Sequence, residues 1–121
     1  MLGENRATKK NMTYEEALRA IEEHLIQEAE KINSFGSALP DYVNPKVELQ
    51  IIHESTETHD FGWVFFYNSK KYIETKDISD ALGGNAPLIV DNSSQKIIVT
   101  GTAYPISHYV ENYIRTGDPN A

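Results

Sequence analysis

Hydrophobic positions in the first third of the chain recur at steps of three and four residues. That spacing places them on one face of a helix. The positions are Tyr14, Leu18, Ile21, Leu25, Ala29 and Ile32. Thr13 and Glu16 have the spacing of a capping box, so we expect the helix to begin at this point.

A period of two residues replaces the helical period further along the chain. Val47, Leu49 and Ile51 alternate with polar residues and predict a half-buried strand that extends to Glu54. Residues 33–46 contain two prolines and a glycine and predict a loop. Residues 55–60 are polar and predict a turn.

The densest aromatic run is the segment Trp63-Val64-Phe65-Phe66-Tyr67. Trp63, Phe65 and Tyr67 fall on one face of an extended strand, and Val64 and Phe66 fall on the other. A strand that is apolar on both faces is usually covered by helices. We therefore expect this run to form the middle of a sheet, with Trp63 in the core.

The rest of the chain alternates between turn residues and short apolar segments. A turn is predicted at residues 68–70, a short edge strand at 71–75, and a helical turn capped by Asp77 and ended by Gly83 at a left-handed position. Residues 88–90 and 97–100 predict a hairpin. Pro105 suits the first turn of a last helix, and Gly117 its end. Its predicted apolar face comprises Ile106, Tyr109, Val110, Tyr113 and Ile114.

This order of elements predicts a two-layer α+β domain. A small antiparallel sheet of three to five strands is expected to pack with an N-terminal helix and a C-terminal helix. Residues 1–121 are expected to form a single domain. Residues 1–12 and 116–121 are predicted to be flexible tails.

Composition and charge narrow the function classes. The 121 residues carry a formal net charge of −7 and contain no cysteine. The negative sign disfavours binding to nucleic acid, and the absence of thiols excludes disulfides and thiolate metal sites. No apolar run reaches the ~20 residues of a membrane helix. The N-terminus lacks the apolar middle of a signal peptide, so we expect a cytoplasmic protein without a membrane partner.

Catalytic and metal-binding patterns are weak in this chain. His53 and His59 lie near several carboxylates, but their spacing matches no established metal motif, and a polar hairpin tip is the simpler interpretation. No serine has the context of a nucleophile elbow. The glycines at 83 and 84 precede a strand rather than a helix and so do not form a phosphate cradle. We predict a protein that is not an enzyme and has no cofactor and no metal.

Acidic side chains on the first helix and in the segment 54–60 are the candidate contacts for a basic partner protein. The simpler interpretation is that they form solvated surfaces. The candidate partner-binding residues are Glu15, Glu22, Glu23, Glu54, Glu57, His59 and Asp60.

Several segments in order, at 62–69, 72–75, 82–91, 100–103, 105–106 and 109–113, resemble the immunity protein 35 family, also called YrhB-type domains. The matching positions look mostly architectural, as aromatic core, turn glycines and helix start. They are Trp63, Phe65, Tyr67, Gly84, Asn85, Pro87, Gly101, Pro105 and Tyr109.

The resemblance implies a small α+β protein that neutralises a bacterial toxin. Family members are the immunity components of bacterial polymorphic toxin systems, and peptidase-like toxins are among their associates. A non-enzymatic protein that binds and occludes a cognate toxin domain is therefore expected. The alternative is a chaperone-like holdase that binds unfolded clients, as a related member is described.

Overall fold

Short strands and helices alternate along the chain in the computed structural model, which describes residues 11–34 and 47–121. In these residues the helices are α1 (Tyr14–Ser34), α2 (Lys70–Thr75) and α3 (Ile106–Thr116). The strands are β1 (Leu49–Ile51), β2 (Glu57–His59), β3 (Gly62–Phe65), β4 (Tyr67–Ser69), β5 (Leu88–Asp91) and β6 (Ile97–Val99). Single 3₁₀ turns lie at His53–Ser55 and Ile78–Asp80.

The described strands form two antiparallel sheets. A four-stranded sheet has the order β2-β3-β5-β6, and β1 pairs with β4 in a two-stranded sheet. In the larger sheet Trp63 lies opposite Thr58 on one side and opposite Val90 on the other. The predicted α+β class and antiparallel pairing are confirmed.

The aromatic run supplies an inner strand and then changes sheet. Gly62–Phe65 forms β3 and is buried throughout, whereas Tyr67 begins β4 in the smaller sheet. The break falls at Phe66, whose carbonyl accepts the N–H of Ile52 at 2.8 Å. The predicted single strand is therefore wrong in its second half.

Helices cover both faces of the larger sheet, so the predicted two layers are in fact three. Trp63 and Phe65 pack with α1, while Val64 packs with Val110 of α3 on the opposite face. Gly62 lets β3 and β5 approach closely, because a Cβ there would lie 2.0 Å from the carbonyl oxygen of Val90. The alternating faces read from the aromatic run are confirmed.

Helix α1 begins at the predicted capping box. Thr13 N–H donates to Glu16 Oε1 at 2.8 Å, and Glu16 N–H donates to Thr13 Oγ1 at 3.2 Å. The buried side chains are Ala17, Ile21 and Leu25, spaced four residues apart. Ala17 was absent from the predicted stripe, and its small size lets the helix lie close to the sheet.

Two segments adopt a different structure from the predicted one. Glu57–His59 forms strand β2 where a turn was expected, because β3 offers it an unpaired backbone edge. Lys70–Thr75 forms helix α2 where an edge strand was expected, because the Ser69 hydroxyl accepts the N–H of Tyr72 at 3.0 Å and caps the helix. The strand at 47–54 is also shorter than predicted, since it ends at Ile51.

A buried amide explains why residues 68–70 do not form the predicted turn. Asn68 Oδ1 accepts the N–H groups of Ser69 and Leu82, both at 2.7 Å. The chain therefore stays extended through Ser69. The predicted cap at Asp77 is present in the 3₁₀ turn that follows, but the left-handed glycine is Gly84 rather than Gly83.

The predicted hairpin and the last helix are confirmed, with one change in the buried face of α3. Ile114 is 66% exposed, whereas Asn112 is buried and donates from Nδ2 to the carbonyl of Pro119 at 3.1 Å. Gly117 ends the helix with a φ of 80°. A buried polar residue with an internal partner replaces an apolar one on this face.

The two predicted tails are described in part. Residues 1–10, and the part of the predicted loop at 35–46, lie outside the described residues. Met12 N–H donates to the carbonyl of Asn92 at 2.7 Å, and its side chain packs against the core. Met12 and Pro119 thus contact the rest of the domain, and the flexibility of the two segments stays a prediction.

Candidate functional site

The predicted partner-binding residues separate into two groups on opposite sides of the larger sheet. Glu15, Glu22 and Glu23 are exposed on α1, which covers one face. Glu57 pairs with Val64 across the sheet and therefore shares the face covered by α3. Their members do not form one continuous site.

Of the first group, Glu22 lines a groove between α1 and β1, which we call the helix groove. It encloses about 340 Å³ and is lined by Glu22, Leu25, Ile26, Leu49, Gln50, Ile51 and His53. Ile26 is 63% exposed at its margin. Glu54 follows His53 in the 3₁₀ turn and is exposed.

The second group borders a groove between the β2–β3 turn and α3, which we call the turn groove. It encloses about 450 Å³ and is lined by His59, Asp60, Phe61, Tyr113 and Ile114. The rings of His59 and Phe61 are stacked with centroids 4.9 Å apart and planes 7° apart. Tyr113 meets Phe61 edge-on at 5.1 Å. The turn groove therefore combines aromatic and acidic groups.

Two carboxylates near the turn groove are held by hydrogen bonds. Glu57 Oε1 lies 2.9 Å from His59 Nε2. Asp91 Oδ2 accepts the hydroxyl of Tyr113 at 2.5 Å, and its Oδ1 accepts the N–H groups of Ser93 and Ser94. The bond to Asp91 holds Tyr113 in the wall of the groove that α3 provides.

The hydrogen bonds at Asp91 also shift two pKa values. Burial raises the pKa of Asp91, but the bonds from Tyr113, Ser94 and Ser93 outweigh it and hold that pKa well below its ordinary value. Burial and the bond to Asp91 raise the pKa of the Tyr113 hydroxyl to about 12. Asp91 thus keeps its negative charge beside the groove across the neutral range.

Three of the residues that match the family, Gly101, Pro105 and Tyr109, lie in or beside the loop before α3. Pro105 is the N-terminal cap residue of α3, and Tyr109 points back from its first turn. The Tyr109 hydroxyl accepts the N–H groups of Ala103 at 3.1 Å and Tyr104 at 3.2 Å. Gly101 leaves room for the ring, because a Cβ there would lie 2.6 Å from Tyr109 Oη.

Other family positions stabilise the core or the loop before β5. Trp63 and Phe65 are buried, and Tyr67 packs at the edge of the same cluster. Asn85 Nδ2 donates to the carbonyl of Tyr67 at 2.7 Å, which joins the loop of Gly84 to β4. The carbonyl of Pro87 accepts from the N–H and the hydroxyl of Thr100.

Phe61, Tyr113 and Ile114 line the turn groove but were not among the predicted partner-binding residues. Phe61 is an aromatic residue beside the polar segment 55–60, which was a usable signal. Tyr113 and Ile114 were assigned to the buried face of the last helix, and only the packing of α3 turns them toward the β2–β3 turn.

The described residues were compared with the requirements of a metal-ligand cluster and of a membrane-spanning helix. No group of three or more histidine and carboxylate side chains converges as a metal site among residues 11–34 and 47–121. None of the described helices has the length and hydrophobicity that are needed to cross a bilayer.

Comparison with protein families identifies the family of this chain. The sequence model of the family described as immunity protein 35 matches residues 15–115. The chain belongs to the immunity protein 35 family. The match includes α1, both sheets and most of α3, so the family covers both grooves.

A curated relative of this immunity protein 35 chain is the uncharacterized protein YrhB of Escherichia coli strain K12. The two are 40% identical over 52 residues, which are 43% of this chain and 55% of the relative. The chain thus spans about half the length of the relative that it matches. No solved structure matches the chain significantly.

Proposed function

We propose that this protein is the immunity partner of a bacterial toxin and neutralises it by binding and covering the toxin domain. The match to the immunity protein 35 family over residues 15–115 is the observation that supports this function. We further propose that the cognate toxin is a peptidase-like protein domain and that the complex forms in the cytoplasm.

The distribution of charge and aromatic side chains agrees with a binding role. Trp63 and Phe65 are buried in the core, so the aromatic run stabilises the domain and does not form an exposed site. The acidic residues Glu15, Glu22, Glu23 and Asp60 remain exposed. An acidic exterior on a rigid domain favours fast association with a basic partner surface.

The holdase alternative needs a broad apolar patch for unfolded clients. The large apolar side chains that are exposed in the described residues lie on five different segments. They are Ile26, Ile78, Val99, Tyr104 and Ile114. This scatter favours a specific inhibitor over a general holdase.

Co-expression with the toxin encoded beside this gene tests the proposed function. We expect cells to survive toxin expression and the two proteins to co-purify as a stable complex. A matched strain that carries the toxin with an empty vector should die. Survival without a detectable complex would contradict neutralisation by occlusion.

Suppression of aggregation separates the two functions. We expect no protection of unrelated unfolded proteins at stoichiometric ratios. Protection at such ratios would support the holdase instead.

A further inference from the structure

We propose that the turn groove is the toxin-binding surface and that it receives a basic side chain, an arginine or a lysine, from an apolar-flanked segment of the toxin. This inference rests on the proposed function, because it names the surface through which that function acts. It follows from three features of the groove: its aromatic floor, its charge and its exposed apolar margin.

The floor of the turn groove is aromatic. The ring of Phe61 is stacked with that of His59 at 4.9 Å and forms a T-shaped pair with the ring of Tyr113 at 5.1 Å. Phe61 is only half-buried, so the assembly lies at the surface. A guanidinium or ammonium group above an aromatic face is attracted by the ring quadrupole.

The charge around the floor is negative. Asp60 is exposed at the mouth, and Glu57 stands beside His59 on β2. Asp91 is fixed behind Tyr113 by the hydroxyl hydrogen bond. None of the described residues that line the groove is a lysine or an arginine. A partner cation would therefore gain carboxylate contacts there.

The margin of the turn groove carries an apolar side chain that the fold itself does not use. Ile114 is 66% exposed and stands on α3 beside the groove. Glu111, three residues earlier on the same helix, is exposed as well. An apolar residue beside acidic ones is the usual composition of a small interface centre and its rim.

The neighbouring basic residue does not neutralise the groove. Arg115 donates from a guanidinium nitrogen to Asn112 Oδ1 at 2.8 Å, within α3. Asn112 is buried below that helix and is also bonded to Pro119. This arrangement holds the arginine on the side of α3 that bears Asn112.

The helix groove lacks this combination. Its lining contains Glu22 and His53 around aliphatic side chains, with no phenylalanine, tyrosine or tryptophan among the described lining residues. A cation placed there would have a carboxylate but no phenylalanine or tyrosine ring. The toxin's basic side chain therefore binds in the turn groove, whereas α1 contributes only long-range attraction.

Two charge reversals compare the surfaces. Asp60→Lys changes the turn groove, and Glu23→Lys makes the same change in net charge on α1 at the other face of the sheet. Affinity for the toxin domain is measured by calorimetry with the purified full chain. We expect Asp60→Lys to weaken binding about tenfold or more relative to Glu23→Lys. Ile114→Lys is the second variant if Asp60→Lys fails to fold.

An equal loss of affinity in the two variants, or a larger loss in Glu23→Lys, would overturn the assignment while leaving the proposed function intact. A toxin that does not bind the unchanged protein would instead refute the proposed function. The turn groove itself is then tested without the toxin.

That separate test titrates the full chain with an acetylated Arg-Leu dipeptide amide at millimolar concentrations and follows protein NMR signals. We expect saturable shifts at Phe61, Tyr113 and Ile114, and none with the matched dipeptide that carries neutral citrulline. Equal shifts with both dipeptides, or no saturable shift with either, would overturn the proposed cation site.

Discussion

Single residues decide whether the loop before α3 keeps its shape. The Tyr109 hydroxyl holds two consecutive backbone N–H groups, at Ala103 and Tyr104, and the ring is buried against Gly101. The rings of Tyr104 and His108 are also close, with centroids 4.3 Å apart and planes tilted by 36°. A methyl group added at Gly101 would therefore disturb both hydrogen bonds of the Tyr109 hydroxyl.

We expect Gly101→Ala to destabilise the protein by about 1–3 kcal/mol, because the new methyl group would displace the Tyr109 ring and both of its hydrogen bonds. Gly83→Ala is the matched control, since a Cβ there meets nothing within 4 Å and its φ is not positive. Urea unfolding of both variants measures the effect. Similar stabilities for the two would refute the role of the close contact.

The core position of Trp63 gives a second prediction at this scale. Its side chain is 9% exposed and meets Tyr14 of α1 edge-on at 6.0 Å. We expect Trp63→Ala to lower the free energy of unfolding by about 3–5 kcal/mol, from lost burial and the cavity left behind. Tyr104→Ala, at a ring that is 59% exposed, should cost less than about 1 kcal/mol. A loss below that value at Trp63 would contradict its core role.

Elements are joined by polar contacts as well as by the core. The Tyr113 hydroxyl on α3 donates to Asp91 at the end of β5, and the same carboxylate closes the β5–β6 hairpin through Ser93 and Ser94. One carboxylate thus links the last helix, the larger sheet and a turn. The wall of the turn groove depends on this link.

We expect the bond between Tyr113 and Asp91 to make stability depend on pH. The folded-state pKa of Asp91 is lowered, so its contribution is complete above the unfolded-state value of about 4 and declines as the pH falls below it. Tyr113→Phe should cost roughly 1–2 kcal/mol at neutral pH, a value reduced for partial exposure. The difference from the unchanged protein should narrow toward about pH 3.

Denaturant unfolding of both proteins between about pH 8 and about pH 3 measures this difference. Because the folded-state pKa of Tyr113 is raised to about 12, its hydroxyl stays protonated over that range and contributes no second transition. A difference that remains constant down to the lowest pH would contradict a contribution from ionised Asp91.

At the scale of the whole molecule, the proposed function depends on the charge and rigidity of the surface. Its net charge of −7 is carried by a domain in which helices cover both faces of one sheet. We propose that the exposed acidic side chains on α1 attract a basic partner at a distance, and that the turn groove provides the close contacts. In this proposal, approach and final binding depend on different parts of the surface.

We expect the rate of association with the toxin to fall about tenfold when salt rises from about 0.05 M to about 0.5 M, because screening shortens the range of attraction. The rate of dissociation should change much less, since the groove contacts are short-range. Stopped-flow or surface-based kinetics at both salt concentrations measure the two rates. An association rate that does not depend on salt would contradict attraction by the acidic surface.

Local sequence determined the elements whose signals lie within a few residues. Thr13 and Glu16 start α1, Gly117 ends α3, and the alternating residues of β3 show that both of its faces are covered. These features were predictable because caps, turn residues and hydrophobic periods act through neighbouring backbone groups. The family resemblance in the segments from 62 to 113 also came from sequence.

Only the tertiary structure decided the features that depend on distant partners. Glu57–His59 becomes a strand because β3 offers its edge, and the aromatic run breaks at Phe66 because Ile52 bonds there. The turn groove joins Phe61 to Tyr113 and Ile114, which are about fifty residues away in the chain. None of these three features produces a periodic pattern in the sequence. Their stabilising contacts exist only after the chain has folded.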